Sequence, residues 1–161
     1  MTAIKVIRLT EADWRAFAGL RLRALADSVG TDDAQYVNEV VFTGTQWRRR
    51  LRAHAQFAVS DGTQLIGLIS AQLATVESVY LYSLWTDPTA RRRGIARKLL
   101  SAAVNWAREC QARLVTLRVD TTNIAARRAY TALGFILDEG AEQHTQTLRA
   151  AGEVTMTLVL S

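Results

Sequence analysis

One stretch near the middle of the chain constrains the fold more than any other, because it passes from a strand through a basic loop into a helix. It reads Leu84-Trp85-Thr86-Asp87-Pro88-Thr89-Ala90-Arg91-Arg92-Arg93-Gly94-Ile95-Ala96. Pro88 cannot donate a ladder hydrogen bond, so we expect the strand to end there. Gly94 lets the backbone approach a ligand closely, and the unpaired amides of the first helical turn attract anions. The stretch therefore predicts a site for a polyanionic ligand.

Basic residues are concentrated at the same loop. They are Arg91, Arg92, Arg93, Arg97 and Lys98. The net charge is +5, and residues 78–161 hold eleven Lys and Arg against seven Asp and Glu, whereas residues 1–77 hold nine against eight. A solvated basic face is the plain alternative for any such cluster. Because these charges flank a glycine at a strand-to-helix junction, we favour the anion site.

The length of 161 residues predicts one domain spanning residues 1–161. No apolar run approaches the ~18–20 residues of a membrane span, so we expect no membrane partner. The chain starts without the apolar core or cleavage site of a signal peptide, and Cys110 is its one cysteine; both features favour a reducing cytoplasm. His54 and His144 have no second ligand at metal-binding spacing, so we expect no metal site.

Hydrophobic periodicity and turn signals predict a three-layer α/β domain with a mixed sheet, in the order β-α-α-β-β-β-α-β-α-β-β. The predicted strands cover residues 4–9, 57–60, 64–73, 78–86, 113–119, 135–137 and 154–160, and the predicted helices start near residues 14, 45, 95 and 123. Asp61-Gly62-Thr63 predicts a hairpin, and the polar segment Thr31–Tyr36 predicts a turn. A helical crossover predicts that the strand at 113–119 runs parallel to the strand ending at Thr86.

A second motif is spaced along the predicted helix that starts near residue 123. Its residues are Asn123, Ala126, Tyr130, Gly134 and Phe135. Together with Arg91-Arg92-Arg93-Gly94-Ile95-Ala96, it resembles the GNAT superfamily of acyl-coenzyme A dependent N-acyltransferases. The resemblance covers nearly the whole chain, because residues 21–25 and 46–51 also look like the family's first two helices. It implies a GNAT-like fold in which a mixed, partly splayed sheet of about seven strands is flanked by about four helices.

The resemblance also implies that acetyl-CoA is the co-substrate and that no metal is needed. It places the coenzyme A diphosphate at the loop amides, where the helix dipole favours negative charge. Backbone groups of the preceding strand would bind the pantetheine arm and polarise the thioester carbonyl, and an oxyanion donor of this kind is worth roughly 3 to 4 kcal/mol. The residues expected to bind the cofactor are Leu84, Trp85, Thr86, Arg91, Arg92, Arg93, Gly94, Ile95, Ala96, Arg97, Asn123 and Tyr130.

Two residues are expected to be catalytic. Tyr130 matches the family position that gives a proton to the departing thiolate. Many relatives carry a glutamate base on the strand before the glycine loop, but this chain has Tyr80 there. Glu77 or Asp120 can act instead through water, and we choose Asp120. No dedicated base would be needed if the acceptor amine had a low pKa or if a chain of waters removed its proton.

The motif residues also have structural interpretations. Tyr130 lies on the apolar side of its helix and can pack there with a satisfied hydroxyl. Asn123 is a natural N-cap and Gly134 a natural C-cap, and Asp120 can cap the same helix through its own side chain.

The leading functional hypothesis is an N-acetyltransferase that moves an acetyl group from acetyl-CoA to a primary amine by direct attack in a ternary complex. A small-molecule amine is favoured over a protein as the acceptor. The alternative is an acyl-CoA-binding sensor or regulatory domain that has lost catalysis, which the missing glutamate motivates. Nucleic acid is not expected as a partner, because no aromatic residues are interleaved with the basic ones.

The resemblance also indicates where the acceptor would bind. Its pocket would be built from Val29–Tyr36, Trp47, Tyr80, Tyr82 and Glu139–Glu153. The late apolar strand at residues 154–160 leaves a homodimer open, because such a strand can join either a core or an edge pairing.

Overall fold

The computed structural model describes residues 3–138 and 152–161. The strands in that part of the chain are β1 (Lys5–Leu9), β2 (Ala55–Ser60), β3 (Leu65–Leu73), β4 (Ser78–Thr86), β5 (Leu114–Asp120), β6 (Ile136–Leu137) and β7 (Glu153–Val159). The α-helices are α1 (Trp14–Ser28), α2 (Ala34–Glu39), α3 (Gly44–Ala53), α4 (Ile95–Glu109) and α5 (Ile124–Ala132). The strands form one open sheet in the order β1-β2-β3-β4-β5-β7-β6. None of the described helices combines the length and apolar character needed to cross a bilayer.

The predicted mixed α/β fold is confirmed. The predicted strand at 78–86 has the same bounds as β4. The hairpin around Asp61-Gly62-Thr63 joins β2 to β3 in antiparallel pairing. The predicted parallel pairing is also present, with Ser78 opposite Leu114 and Leu81 opposite Leu117.

The structure differs from the prediction at residues 34–36, where the first half of α2 replaces the end of the expected turn. The Asp33 carboxylate caps α2 by accepting a hydrogen bond from the Gln35 amide at 2.8 Å. Six residues are too few for helical periodicity to stand out. The helix also buries Glu39, which is 2% exposed and runs against any hydrophobic pattern. Residues 139–151, which cover most of the predicted acceptor segment, lie outside the described residues.

The described residues divide into two compact units. The first unit takes the residues up to Gln72 together with Ser83–Ala103. The second unit takes Leu73–Tyr82 together with the residues from Val104 onward. The boundary therefore passes through β4, whose last four residues belong to the first unit.

The core of the first unit is built from α1, α3 and the first strands. Its buried residues are Leu9, Phe17, Leu20, Ala24, Trp47, Leu51, Ala58, Leu68 and Trp85. The rings of Phe17 and Trp47 meet edge to face, with centroids 5.6 Å apart. Burial of these large side chains is the main stabilising contribution in this unit.

The second unit shows the alternation of a strand with one buried face. Val115, Leu117 and Val119 of β5 are buried, whereas Arg118 and Asp120 between and after them are exposed. β7 runs antiparallel to β5 and buries Val154 and Met156 in the same alternation, which ends at the buried Thr157. The sheet therefore presents one apolar face to the core and one polar face, as expected for side chains that alternate along a strand.

Candidate functional site

The end of β4 contains an unusual backbone conformation. Ser83 has φ of +57°, in the left-handed region that a residue with a side chain adopts at a cost of about 1–2 kcal/mol. Such residues interrupt the regular pairing of a strand and are held in place by surrounding contacts. Nothing in the local sequence signals this conformation, because serine is not a residue that requires it.

A buried charge network surrounds Ser83. The Nη1 atom of Arg21 donates a hydrogen bond to the Ser83 hydroxyl at 2.9 Å. The Nε and Nη2 atoms of Arg21 donate to the Glu39 carboxylate at 3.1 and 3.3 Å, and Arg50 donates to the same carboxylate at 2.5 Å. Burial alone would raise the pKa of Glu39, but the hydrogen bonds and charges of Arg21 and Arg50 outweigh it and hold the pKa below its ordinary value of 4.5. Glu39 therefore stays ionised.

A second network joins β4 to the loop that follows it. The indole Nε1 of Trp85 donates to the Asp27 carboxylate at 2.8 Å, and Arg91 donates to the same oxygen from Nη2 at 3.1 Å. The Nε atom of Arg91 also donates to the Thr86 carbonyl at 3.2 Å. Arg91 was expected to contribute to cofactor binding, and in the structure its guanidinium is bonded to protein groups that shape the loop.

A third set of bonds holds the turn at the end of β4. Arg23 donates to the Asp87 carboxylate at 2.6 Å and to the Leu65 carbonyl at 2.8 Å. The Asp87 amide in turn donates to the Ile66 carbonyl at 2.8 Å. Hydrogen bonds from the Thr89 hydroxyl and amide, together with Arg23, lower the pKa of Asp87. The turn that precedes the basic loop is thus tied to both α1 and β3.

The basic loop has the backbone shape of an anion site. Arg92 and Gly94 both have left-handed φ, of +68° and +73°. Left-handed residues in a short loop curve the chain so that successive amides face a common concavity. The first helical hydrogen bond of α4 runs from the Lys98 amide to the Gly94 carbonyl at 3.1 Å, so the amides before it have no helical acceptor. The side chains of Arg92, Arg93 and Arg97 are exposed beside this helix start.

One glycine outside the predicted motif lets the start of α4 approach the sheet. A Cβ atom added to Gly67 of β3 would lie 2.9 Å from Ile95 Cγ2 and 3.2 Å from the Trp85 carbonyl oxygen. Contacts this short force neighbouring atoms to move. Sequence reasoning missed Gly67, because a glycine within a strand signals close packing without naming the partner.

The residues of the second motif cap and pack α5. Asn123 accepts a hydrogen bond from the Ala126 amide at 3.1 Å, which confirms its N-cap geometry. Gly134 has φ of +101°, as a helix C-cap requires. Tyr130 is 8% exposed, and its ring lies 6.0 Å from that of Phe135. Burial raises the pKa of the Tyr130 hydroxyl above 10, so the group is protonated at neutral pH.

Asp120 forms a tight turn at the end of β5. Its Oδ1 atom accepts hydrogen bonds from the Thr122 amide at 2.8 Å and from the Thr122 hydroxyl at 2.5 Å. These two bonds lower the pKa of the exposed carboxyl, so Asp120 is ionised at neutral pH. In the antiparallel register Asp120 stands opposite Glu153 of β7, the last residue of the predicted acceptor segment. The sequence did not predict this pairing, because it depends on strand register.

Tyrosines and an arginine share the polar face of the second unit. The rings of Tyr80 and Tyr82 stack with centroids 5.8 Å apart, and the Arg118 guanidinium lies 5.7 Å from the Tyr80 centroid. Burial raises the pKa of Tyr80, the Arg118 charge opposes that rise, and the Glu153 charge adds to it. Tyr80 therefore stays protonated at neutral pH.

Comparison with known proteins decides the family. The model of the Acetyltransferase (GNAT) family matches residues 12–135, which is more than half of the chain. The chain belongs to the GNAT acetyltransferase family. Comparison with curated protein sequences gives no match.

Solved structures of GNAT acetyltransferases share the fold. The PaiA N-acetyltransferase of Thermoplasma acidophilum, in complex with coenzyme A, is similar with a TM-score of 0.73 and 14% identity over 98% of this chain and 99% of that one. A GNAT-family acetyltransferase of Streptococcus pneumoniae is similar with a TM-score of 0.73 and 16% identity, over 98% of this chain and 100% of that one. The yncA protein of Salmonella typhimurium, solved with its cofactor acetyl-CoA, is similar with a TM-score of 0.72 and 18% identity, over 99% of this chain and 95% of that one. At these identities the likeness shows the fold alone.

The predicted site residues of this GNAT protein fall into both units. The strand end at 84–86 and the loop and helix start at 91–97 lie together in the first unit, joined by the Asp27 and Arg91 bonds. Asp120, Asn123 and Tyr130 lie in the second unit. Among the described residues, no group of three or more His, Cys, Asp or Glu side chains is arranged to hold a metal.

Proposed function

We propose that residues 1–161 form a single acetyltransferase domain that moves an acetyl group from acetyl-CoA to a primary amine. The observation that carries this proposal is the left-handed loop at Arg92 and Gly94, which leads directly into the open amides of α4. Membership of the GNAT acetyltransferase family gives that anion site a specific ligand. Coenzyme A carries the negative charge that a helix N-terminus with exposed arginines attracts.

The cofactor is bound by two neighbouring parts of the first unit in this proposal. The amides of Gly94, Ile95, Ala96 and Arg97 hold the diphosphate, with the exposed side chains of Arg92, Arg93 and Arg97 adding charge. Backbone groups of Leu84, Trp85 and Thr86 hold the pantetheine arm and polarise the thioester carbonyl. Arg91 contributes by fixing the loop against Thr86.

The reaction is a direct transfer. The lone pair of the uncharged amine attacks the thioester carbonyl carbon, a C–N bond forms, and the carbonyl oxygen becomes an oxyanion that a backbone amide of β4 stabilises. Collapse of this intermediate breaks the C–S bond, and the departing thiolate takes the hydroxyl proton of Tyr130. The nitrogen loses its own proton to a base, so the products are the N-acetylated amine and free coenzyme A. The tyrosine can fill this role because its hydroxyl carries a proton at neutral pH, and burial, by raising its pKa, makes it a weaker acid than a free tyrosine.

We assign the base role to Asp120, acting through water. Its low pKa keeps the carboxylate charged at neutral pH. The neighbouring Glu153 adds a second negative charge on the same sheet face, where a cationic amine would be attracted before it loses its proton. Tyr80 is unsuitable, because its pKa is raised. We favour a small-molecule amine as the acceptor.

The test begins with calorimetric titration of the wild-type protein with coenzyme A and acetyl-CoA. A panel of primary amines is then screened by release of the coenzyme A thiol. Turnover of an amine with formation of its N-acetyl product supports the proposal. Absence of coenzyme A binding refutes it.

A coenzyme A binding domain without catalysis is the second candidate. The observation that favours it is the absence of a carboxylate on β4 between Ser78 and Thr86, together with the raised pKa of Tyr80. This candidate is supported if acetyl-CoA binds and no amine in the panel accelerates thiol release.

A further inference from the structure

We propose that α1 is a positioning clamp for the cofactor-binding end of β4, an inference that rests on the proposed function. Three polar side chains of α1 bond to three alternate residues of the chain at 83–87. Arg21 bonds to Ser83, Asp27 to Trp85 and Arg23 to Asp87. Asp87 also caps the short turn after β4, because its carboxylate accepts hydrogen bonds from the Thr89 amide and hydroxyl at 2.9 and 2.7 Å.

The upstream anchor is the most buried of the three. Arg21 is 9% exposed, and its other nitrogens are held by the buried carboxylate of Glu39. Arg50 binds that carboxylate from α3, so the Arg21 guanidinium is fixed from two helices at once. A planar guanidinium with several satisfied donors has little freedom to rotate. Its bond to the Ser83 hydroxyl therefore holds a left-handed residue that would otherwise relax toward ordinary strand geometry.

The downstream anchors connect the same strand end to the basic loop. Asp27 accepts from both Trp85 and Arg91, and Arg91 also bonds to the Thr86 carbonyl. Loss of Asp27 would therefore release the loop at Arg91, whereas the strand end would still be held at Ser83 by Arg21. Arg23 adds a bond to the turn at Asp87.

The two ends of the clamp have different kinetic consequences. The Arg21 anchor sets the position of the backbone that polarises the thioester, so its loss acts on kcat, where a displacement of about 1 Å can cost about 100-fold. The Asp27 anchor sets the position of the loop that holds the diphosphate, so its loss acts on coenzyme A affinity and KM. None of these side chains is assigned a contact with the substrate, so they are positioning residues.

The experiment compares Ser83→Ala, Arg21→Lys and Asp27→Ala with the control Arg52→Gln, which removes only the exposed ion pair with Glu11 at 3.6 Å. We expect Ser83→Ala and Arg21→Lys to lower kcat by about 10- to 100-fold with KM for acetyl-CoA within about twofold. We expect Asp27→Ala to raise the Kd for coenzyme A and the KM by about tenfold with a smaller change in kcat. A merely structural role would lower the fraction of folded enzyme in each variant without separating kcat from KM.

Hydrogen exchange provides a readout that does not depend on activity. Amides of residues 84–86 should exchange faster in Ser83→Ala and Arg21→Lys than in the wild type, whereas amides of β1 and β2 and all amides of Arg52→Gln should not change. If the wild type neither binds coenzyme A nor turns over any amine, the proposed function fails, and exchange at 84–86 still tests the clamp. The clamp proposal is overturned if amide exchange at 84–86 is unchanged in Ser83→Ala and Arg21→Lys. It is also overturned if these two variants and Asp27→Ala lose kcat and coenzyme A affinity to the same extent.

Discussion

Replacement of Glu39 by glutamine tests the buried charge network on which the end of β4 depends. The wild-type carboxylate accepts bonds from the Nε and Nη2 atoms of Arg21 and from Arg50. Glutamine keeps one acceptor oxygen, but its amide group brings a donor toward a donor of Arg21 and removes the negative charge. Breaking a buried ion pair costs about 3–5 kcal/mol, and each hydrogen bond to a charged group contributes about 1.5–3 kcal/mol. Because the Arg50 side chain is 29% exposed, we expect a loss near the lower limit, about 3 kcal/mol.

The assay is urea and thermal unfolding of wild type and Glu39→Gln at several pH values. For a chain of this size, about 3 kcal/mol lowers Tm by about 6–12 °C at neutral pH. The pKa of Glu39 is lowered in the folded state, so its stabilising contribution is present above pH 4.5 and is lost as pH falls through the folded pKa. The difference in free energy of unfolding between wild type and Glu39→Gln should therefore become smaller as the pH falls.

A matched control is Glu11→Gln, which removes the exposed carboxylate partner of Arg52. Exposed pairs contribute about 0–1 kcal/mol, so this variant should unfold close to wild type. If Glu39→Gln unfolds as Glu11→Gln does, or if the difference from wild type widens as the pH falls, the network does not stabilise the fold as argued.

Three further predictions concern the proposed chemistry and the packing beneath it. Tyr130→Phe should lower kcat by about 10²- to 10⁴-fold while the calorimetric Kd for coenzyme A stays unchanged, and an unchanged kcat with a competent amine would remove the acid assignment. Asp120→Asn should lower kcat/KM most at neutral pH, and kcat/KM of the variant should recover as the pH approaches the pKa of the acceptor amine. A pH profile of kcat/KM that runs parallel to that of the wild type contradicts the base role. Gly67→Ala should lower the free energy of unfolding by about 1–3 kcal/mol in urea and weaken coenzyme A binding, because the new methyl group displaces the start of α4. The control Gly19→Ala, which meets no atom within 4 Å in a helix, should stabilise the protein by about 0.5–1 kcal/mol.

Elements with strong local signals could be predicted from the sequence. The bounds of β4 follow from its apolar and aromatic residues and from Pro88, which starts a short turn directly after it. The hairpin at Gly62 and the helix end at Gly134 follow from residues that adopt left-handed backbone without a Cβ penalty. In each case the cause lies within a few residues of the effect.

The second helix could not be predicted in the same way. α2 has six residues, and its buried residue is Glu39 rather than an apolar one. Its stability depends on Arg21 and Arg50, which lie 18 and 11 positions away. A charged side chain becomes a core residue only when distant partners neutralise it.

The sequence by itself determined the strand, basic loop and helix start at residues 84–97, because glycine, proline and unpaired helix amides act on their immediate neighbours. Only the tertiary structure decided how that loop is held. Arg91 looks like its neighbours in the sequence, but its bond to Asp27 joins residues 64 positions apart. The left-handed Ser83 and the pairing of Asp120 with Glu153 likewise depend on long-range contacts and strand register. Side-chain partners are chosen by packing in three dimensions, which the local sequence does not encode.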